Sequence, residues 1–135
     1  MTQEMKHKDI TNKVIRAFYN VHNILGYGFL EKCYERAMMI ELKKMGLIAE
    51  TQFAIKVFYD GNEIGDYKAD IIVENKVILE LKTAKVISEE HLAQLLNYLR
   101  ATQIEVGMLL NFGTEAQFAR RSFDNERKTT LPQES

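Results

Sequence analysis

The run ADIIVENKVILELKT, Ala69 to Thr83, constrains the architecture of this chain more than any other stretch. Two apolar segments flank Glu74-Asn75-Lys76, a polar turn so short that the strands on either side must pair antiparallel. Side chains alternate faces along a strand, so Val77, Leu79 and Leu81 share one face while Ile78, Glu80 and Lys82 share the other. A turn that pairs Val73 with Val77 and Ile72 with Ile78 brings Asp70 opposite Glu80 as the ladder continues. Directly opposed Cβ atoms lie about 4.5–5.5 Å apart, close enough for two carboxylates to repel and for one pKa to rise unless a cation lies between them. Magnesium suits such a pair, because it binds through one or two carboxylates and keeps sites for water and phosphate oxygens. Lys82, on the face of Glu80, is placed to stabilise charge developing on a phosphate or to orient an attacking water.

The rest of the chain alternates helical and strand periodicity. Val14, Phe18, Val21 and Leu25 recur at helical spacing from Ile10 until Gly26, and Leu30, Cys33, Tyr34, Ala37, Met38 and Met45 do so until Gly46. This pattern predicts two helices, with Cys33 as a small core residue. Phe53, Ile55, Val57 and Tyr59 alternate up to Asp60-Gly61, a strong hairpin turn, and a second strand follows from about Ile64 to Val73. After the third strand, Ser88 reads as an N-cap with Glu89 and Glu90 in the first turn and Leu92, Leu95, Leu96 and Leu99 as the apolar stripe. Val106 to Phe112 reads as a buried strand, whereas Phe118 to Phe123 fits either strand or helix. The order α-α-β-β-β-α-β predicts an α/β layer fold in residues 1–123, with 124–135 a polar, disordered tail.

Composition limits the chemistry further. Eighteen basic against 19 acidic residues leave a net charge of −1, which gives no general electrostatic attraction to nucleic acid, so any contact must be local. A single cysteine excludes an internal disulfide and the usual Cys-based zinc sites, and the three histidines are scattered. The start MTQEMKHKDI lacks an apolar signal core, and no run of about 18 apolar residues occurs. The expectation is a cytoplasmic protein without membrane contact.

Asp70 followed by Glu80-Leu81-Lys82 resembles the Asp…Glu-x-Lys core of the PD-(D/E)XK nuclease superfamily, with Ala69 where its name places proline. Gly28-Phe-Leu-Glu31-Lys-Cys-Tyr34 is similar to the pattern that names the GxxExxY protein family, Gln94-Leu-Leu-Asn-Tyr98 to the Q-x-x-x-Y motif of the exonuclease-like branch, and VGMLLNFG to the last core strand. The resemblance spans roughly residues 10 to 123 and implies a restriction-endonuclease-like core with a mixed central sheet. It implies a nuclease that uses Mg²⁺ or Mn²⁺ on nucleic acid, DNA in the first instance. The implied metal shell is Asp70, Glu80, the Leu81 carbonyl and Glu31, with Lys82 and Gln94 beside them as catalytic groups. Tyr98 and His91, with Arg120 and Arg121 after the last strand, are the residues expected to touch the nucleic acid, and a homo-oligomer is a further expectation.

Each residue also has a simpler reading. Asp70, Glu80 and Lys82 would serve as an exposed ion cluster of small energetic worth, Glu31 as a charge in a helix's first turn, and Gln94 and Tyr98 as the polar edge of a packed helix. Two functional alternatives therefore stand beside the nuclease: a nucleic-acid-binding module without turnover, and a protein-interaction domain that keeps the fold.

Overall fold

The computed structural model describes residues 5–129. Two of its strand-connecting turns use left-handed backbone. Asp60 and Gly61 have φ of 53° and 78°, joining β1 (Ala49–Tyr59) to β2 (Asn62–Val73) in the tight connection that Asp-Gly favours. Glu74 and Asn75, at 55° and 53°, join β2 to β3 (Val77–Lys82). Glutamate is held in that conformation by reciprocal bonds with Ile48: its N–H donates to the Ile48 carbonyl at 2.7 Å, and its Oε2 accepts from the Ile48 N–H at 2.6 Å. The register of the second hairpin is Val73 to Val77, Ile72 to Ile78 and Ile71 to Leu79.

From β3 the chain crosses over through α3 (Glu89–Ala101) to β4 (Val106–Phe112), which runs parallel to β3, and β5 (Ala116–Ser122) returns antiparallel beside β4. The sheet order is β1-β2-β3-β4-β5. α1 (Lys8–Leu25) and α2 (Glu31–Lys44) cover one face and α3 the other, so β4 is buried along its whole length, as a parallel strand between two helical layers must be. The segment Phe118 to Phe123, open between strand and helix in the sequence, belongs to strand β5 up to Ser122.

Two cores result. Phe18, Tyr34, Met38 and Leu42 pack with Ile71, Leu79, Leu81 and Phe112 beneath α1 and α2; Leu95, Leu99, Ile55, Ile78 and Leu109 pack beneath α3. Tyr34 stacks on Phe112 with ring centroids 4.3 Å apart, and its hydroxyl donates to the Gly26 carbonyl at 2.7 Å, locking the α1–α2 corner. Cys33, expected in this core, is exposed instead. The buried stripe of α2 runs through Tyr34, Met38, Glu41 and Leu42, and residue 33 falls beside it.

At its far end the chain departs from the expected disordered tail. Asn125–Arg127 forms a 3₁₀ turn, with the Asn125 N–H on Glu105 at 2.8 Å and Lys128 Nζ on the Thr102 and Ile104 carbonyls at 2.8 and 2.7 Å. The reason is that the loop between α3 and β4 leaves carbonyls open, and a lysine reaches them. The tail beyond Thr129 lies outside the described residues. Among the described residues no helix is long and apolar enough to cross a membrane.

Candidate active site

Strand alternation breaks at Asp70. Ile71 and Val73 face the α1–α2 core, yet Ala69, two residues before Ile71, packs under α3 with Ile72. Facing β2, β1 changes phase at the same level: Ala49 packs toward α1 and α2, whereas Phe53, Ile55 and Val57 pack toward α3, with Gln52 between them at φ 57°. Regular pairing therefore skips the Gln52 and Asp70 level on one side of β2 and stops at Ile71 and Leu79 on the other. The chain opens a gap at Asp70.

Two carboxylates fill that gap. The Asp70 N–H donates to Glu80 Oε2 at 3.0 Å, and the Leu81 N–H donates to Asp70 Oδ2 at 2.8 Å. Each acid thus replaces a ladder bond that the diverging strands cannot make. The expected juxtaposition of Asp70 and Glu80 is present, reached through these crossed side-chain bonds rather than through an unbroken ladder. Because a strand residue directs its N–H and C=O to the same side, the Leu81 carbonyl points to the Asp70 side as well.

Glu80 is only 4% exposed. Burial first, and the Asp70 carboxylate second, push its pKa up to about 8. Lys82, on the same strand face, opposes that rise and rests its Nζ 3.5 Å from Gln94 Oε1. Gln94 in turn donates to the Tyr98 hydroxyl at 3.1 Å, so α3 presents a short relay of polar groups to the lysine. Gln94 and Tyr98 are four residues apart and lie on one helical face, which is why the relay needs no bend in α3.

Glu31 opens α2 and lines a pocket of about 120 Å³ with Lys32, Glu35, Gln52, Asp70 and Leu81. Partial enclosure raises its carboxyl pKa, Asp70 adds to the rise, and Lys82 and His91 oppose it, so both cations lie near enough for their charge to act on Glu31. Glu35, Lys32 and Gln52 are the lining residues that sequence reasoning missed. Glu35 is buried because Lys32 at 2.9 Å and Gln52 at 2.9 Å satisfy it. The left-handed Gln52 gave no sequence signal.

The expected nucleic-acid contacts divide. Tyr98 and His91 lie on α3 near the cleft, although His91 is also engaged in capping: its N–H donates to Ser88 Oγ at 3.1 Å and its Nδ1 accepts from the Ser88 N–H at 3.2 Å. Arg120 and Arg121 are not brought to the site. They lie on edge strand β5 opposite Met108 and Gly107, level with Leu79 and Ile78 of β3 rather than with Glu80 to Lys82. Arg120 is tied to the Lys6 carbonyl at 2.6 Å and Arg121 to the Arg120 carbonyl at 2.8 Å.

The donor set fits a hard divalent cation. Two carboxylates held together in a buried gap carry the like-charge conflict that a cation relieves, and a backbone carbonyl stands beside them. Among the described residues no three His, Cys, Asp or Glu side chains form a closed cage. Magnesium needs none, since one or two carboxylates with water and phosphate oxygens complete its shell.

Comparison with known proteins gives the same direction. No curated protein sequence matches the chain significantly. Among solved structures, the crystal structure of SSO0001 superposes with a TM-score of 0.52 at 20% identity over 69% of this chain, which spans 50% of that one. The alkaline exonuclease LHK-Exo from Laribacter hongkongensis superposes with a TM-score of 0.51 at 12% identity, covering 91% of this chain and 74% of its own. These likenesses show a restriction-endonuclease-like α/β fold. A sequence model of the PD-(D/E)XK nuclease superfamily matches residues 8–122, which contain the whole cleft, and the chain belongs to that superfamily.

Proposed function

We propose that this chain is a divalent-metal-dependent nuclease of the GxxExxY type that hydrolyses phosphodiester bonds in DNA. The observation that carries the reading is the crossed Asp70–Glu80 arrangement in a gap between diverging strands, with Lys82 beside it and supported by Gln94. An ornamental ion cluster would be exposed and loosely paired; Glu80 is buried next to a like charge, which costs stability unless the pair serves a ligand.

Asp70 and Glu80, with the Leu81 carbonyl, are the groups that would hold Mg²⁺ or Mn²⁺, and Glu31 faces the same cleft from α2. When bound, such a cation supplies Lewis-acid polarisation of the phosphate and a lowered pKa for attacking water. The protein's own groups do the rest. Lys82 donates to the oxygen on which negative charge accumulates, and Gln94 Oε1 orients that ammonium so that little reorganisation accompanies the reaction. His91 and Tyr98 flank the path by which a strand reaches the cleft.

The deciding experiment is a cleavage assay with Mg²⁺ or Mn²⁺ across single-stranded, duplex and branched DNA, with Lys82→Ala as control. Metal-dependent cutting that the variant loses supports the reading. Wild-type protein that binds metal and DNA but cuts nothing, and behaves as Lys82→Ala does, leaves a binding module.

A further inference from the structure

A second and larger cavity lies beside the catalytic gap. It has a volume of about 500 Å³ and is lined by Val57, Tyr67, Gln94, Asn97, Tyr98, Arg100 and Ala101. Gln94 and Tyr98 belong both to this cavity and to the relay that holds Lys82, so the two spaces share a wall. The Tyr67 ring stands 6.0 Å from the Tyr98 ring, tilted by 44°. Tyr98 is 6% exposed and forms fixed wall, whereas Tyr67 is 51% exposed and offers an open aromatic face. In the same lining, Gln94 and Asn97 set two amides three residues apart on α3, each able to donate and accept.

Tyr67 owes its position to a glycine. A Cβ on Gly65 would come within 2.9 Å of Tyr67 Cε2 and 3.4 Å of Val57 Cβ, so the ring leans back over bare backbone in β2. Glycine inside a strand weakens it, and here the lost side chain makes room for an aromatic platform.

We propose that this cavity receives the unpaired base of a nucleotide adjacent to the scissile phosphate, with Tyr67 as its stacking platform and Gln94 and Asn97 reading its polar edge. The inference rests on the nuclease reading for the placement of the phosphate and goes beyond it in naming the substrate: strands with an unpaired nucleotide at the cut, such as single strands and frayed ends. A flat ring with a polar rim matches one aromatic face and two amides, and aromatic stacking accepts any base. Within a duplex the base would have to be unstacked and unpaired first, at a cost of a few kcal/mol, so intact duplex should be disfavoured by roughly 10²-fold or more.

The test uses the full chain with Mg²⁺ or Mn²⁺ and one oligodeoxynucleotide, offered single-stranded, fully paired, and single-stranded with an abasic site moved along it. Cleavage position and kcat/KM are read. Wild type should prefer the single strand, and an abasic nucleotide beside the cut should lower kcat/KM by about 5- to 100-fold, the loss of one stacked base. Tyr67→Ala should lower cleavage of the intact strand by a similar factor and add nothing on the abasic one. Tyr67→Phe should act as wild type, and Gly65→Ala, which keeps the ring but displaces it, should resemble Tyr67→Ala. Equal losses on intact and abasic strands, or Tyr67→Ala that cuts as wild type does, would overturn the pocket while leaving the nuclease. Anisotropy with the same labelled strand covers the case of no cutting: binding weakened by Tyr67→Ala removes the nuclease and keeps the pocket, and binding indifferent to Tyr67 removes both.

Discussion

Lys82 reaches Gln94 Oε1 at 3.5 Å and makes no ion pair within 4 Å among the described residues, so its charge is held in place but not consumed. Replacing it by alanine should leave metal affinity unchanged or raised, because a competing cation leaves the site. Cleavage should fall by roughly 10²–10³, the typical cost of removing one preorganised donor. Single-turnover rates measured beside metal titration separate the two effects; parallel losses in both would contradict the assignment. On a strand with an abasic nucleotide at the cut, where Gln94 has no base to read, Gln94→Ala acts through the lysine and should cost less than Lys82→Ala, with no further loss when the two are combined. At this scale the sequence was informative: Asp70, Glu80 and Lys82 are legible because motif spacing survives folding. Tyr67 and Glu35 were not, since an exposed tyrosine and a helix glutamate look alike whether or not a cavity lies next to them.

Between elements, one buried amide does much of the positioning. Asn111 on β4 accepts from the Ala84 N–H and donates to the Ala84 carbonyl, both at 2.9 Å, which pins the chain as it leaves β3 just beyond Lys82. The next residue but one, Gly113, approaches the Ala84 carbonyl so closely that a Cβ would collide with it, while its own carbonyl meets His22 Nε2 at 2.8 Å. Asn111→Leu leaves two backbone groups unpaired and should destabilise by about 2–4 kcal/mol, read as a lower urea midpoint with unchanged slope. A midpoint like that of wild type would show that water satisfies Ala84 instead. The C-terminal turn has a pH signature. Glu105 accepts from the Asn125 N–H, which is the largest cause holding its carboxyl below the ordinary range, with Lys6 at 3.0 Å adding to it. A carboxyl lowered on folding takes up its proton first in the unfolded chain. Its contribution is complete above the unfolded carboxyl range and disappears as pH falls through the native value. The melting-temperature gap between wild type and Glu105→Gln should therefore be widest near neutrality and narrow toward pH 3; a constant gap would assign the effect to packing. Neither Asn111 nor Glu105 was legible in the sequence, because their partners lie 27 and 20 residues away and are backbone groups.

For the whole molecule, the gap in the sheet should couple folding to metal. Millimolar Mg²⁺ or Mn²⁺ should raise the melting temperature by the mass-action term RT ln(1 + [L]/Kd), and Glu80→Gln should remove that gain while keeping the metal-free protein as stable as wild type or more so. Calorimetry with and without chelator reads both, and a metal response retained in Glu80→Gln would exclude Glu80 as a ligand. Periodicity, turn residues and the Asp…Glu-x-Lys spacing by themselves determined the strand and helix order up to Phe112, the hairpin register up to Ile71 and Leu79, and the pairing of Asp70 with Glu80, since each depends on residues close along the chain. Only the tertiary structure decided that both β1 and β2 change phase at Gln52 and Asp70, that Arg120 and Arg121 sit away from the cleft, and that Cys33 faces out. Those outcomes depend on how two helical layers press on a twisted sheet, and that balance is set by contacts distant in sequence, where no local pattern records it.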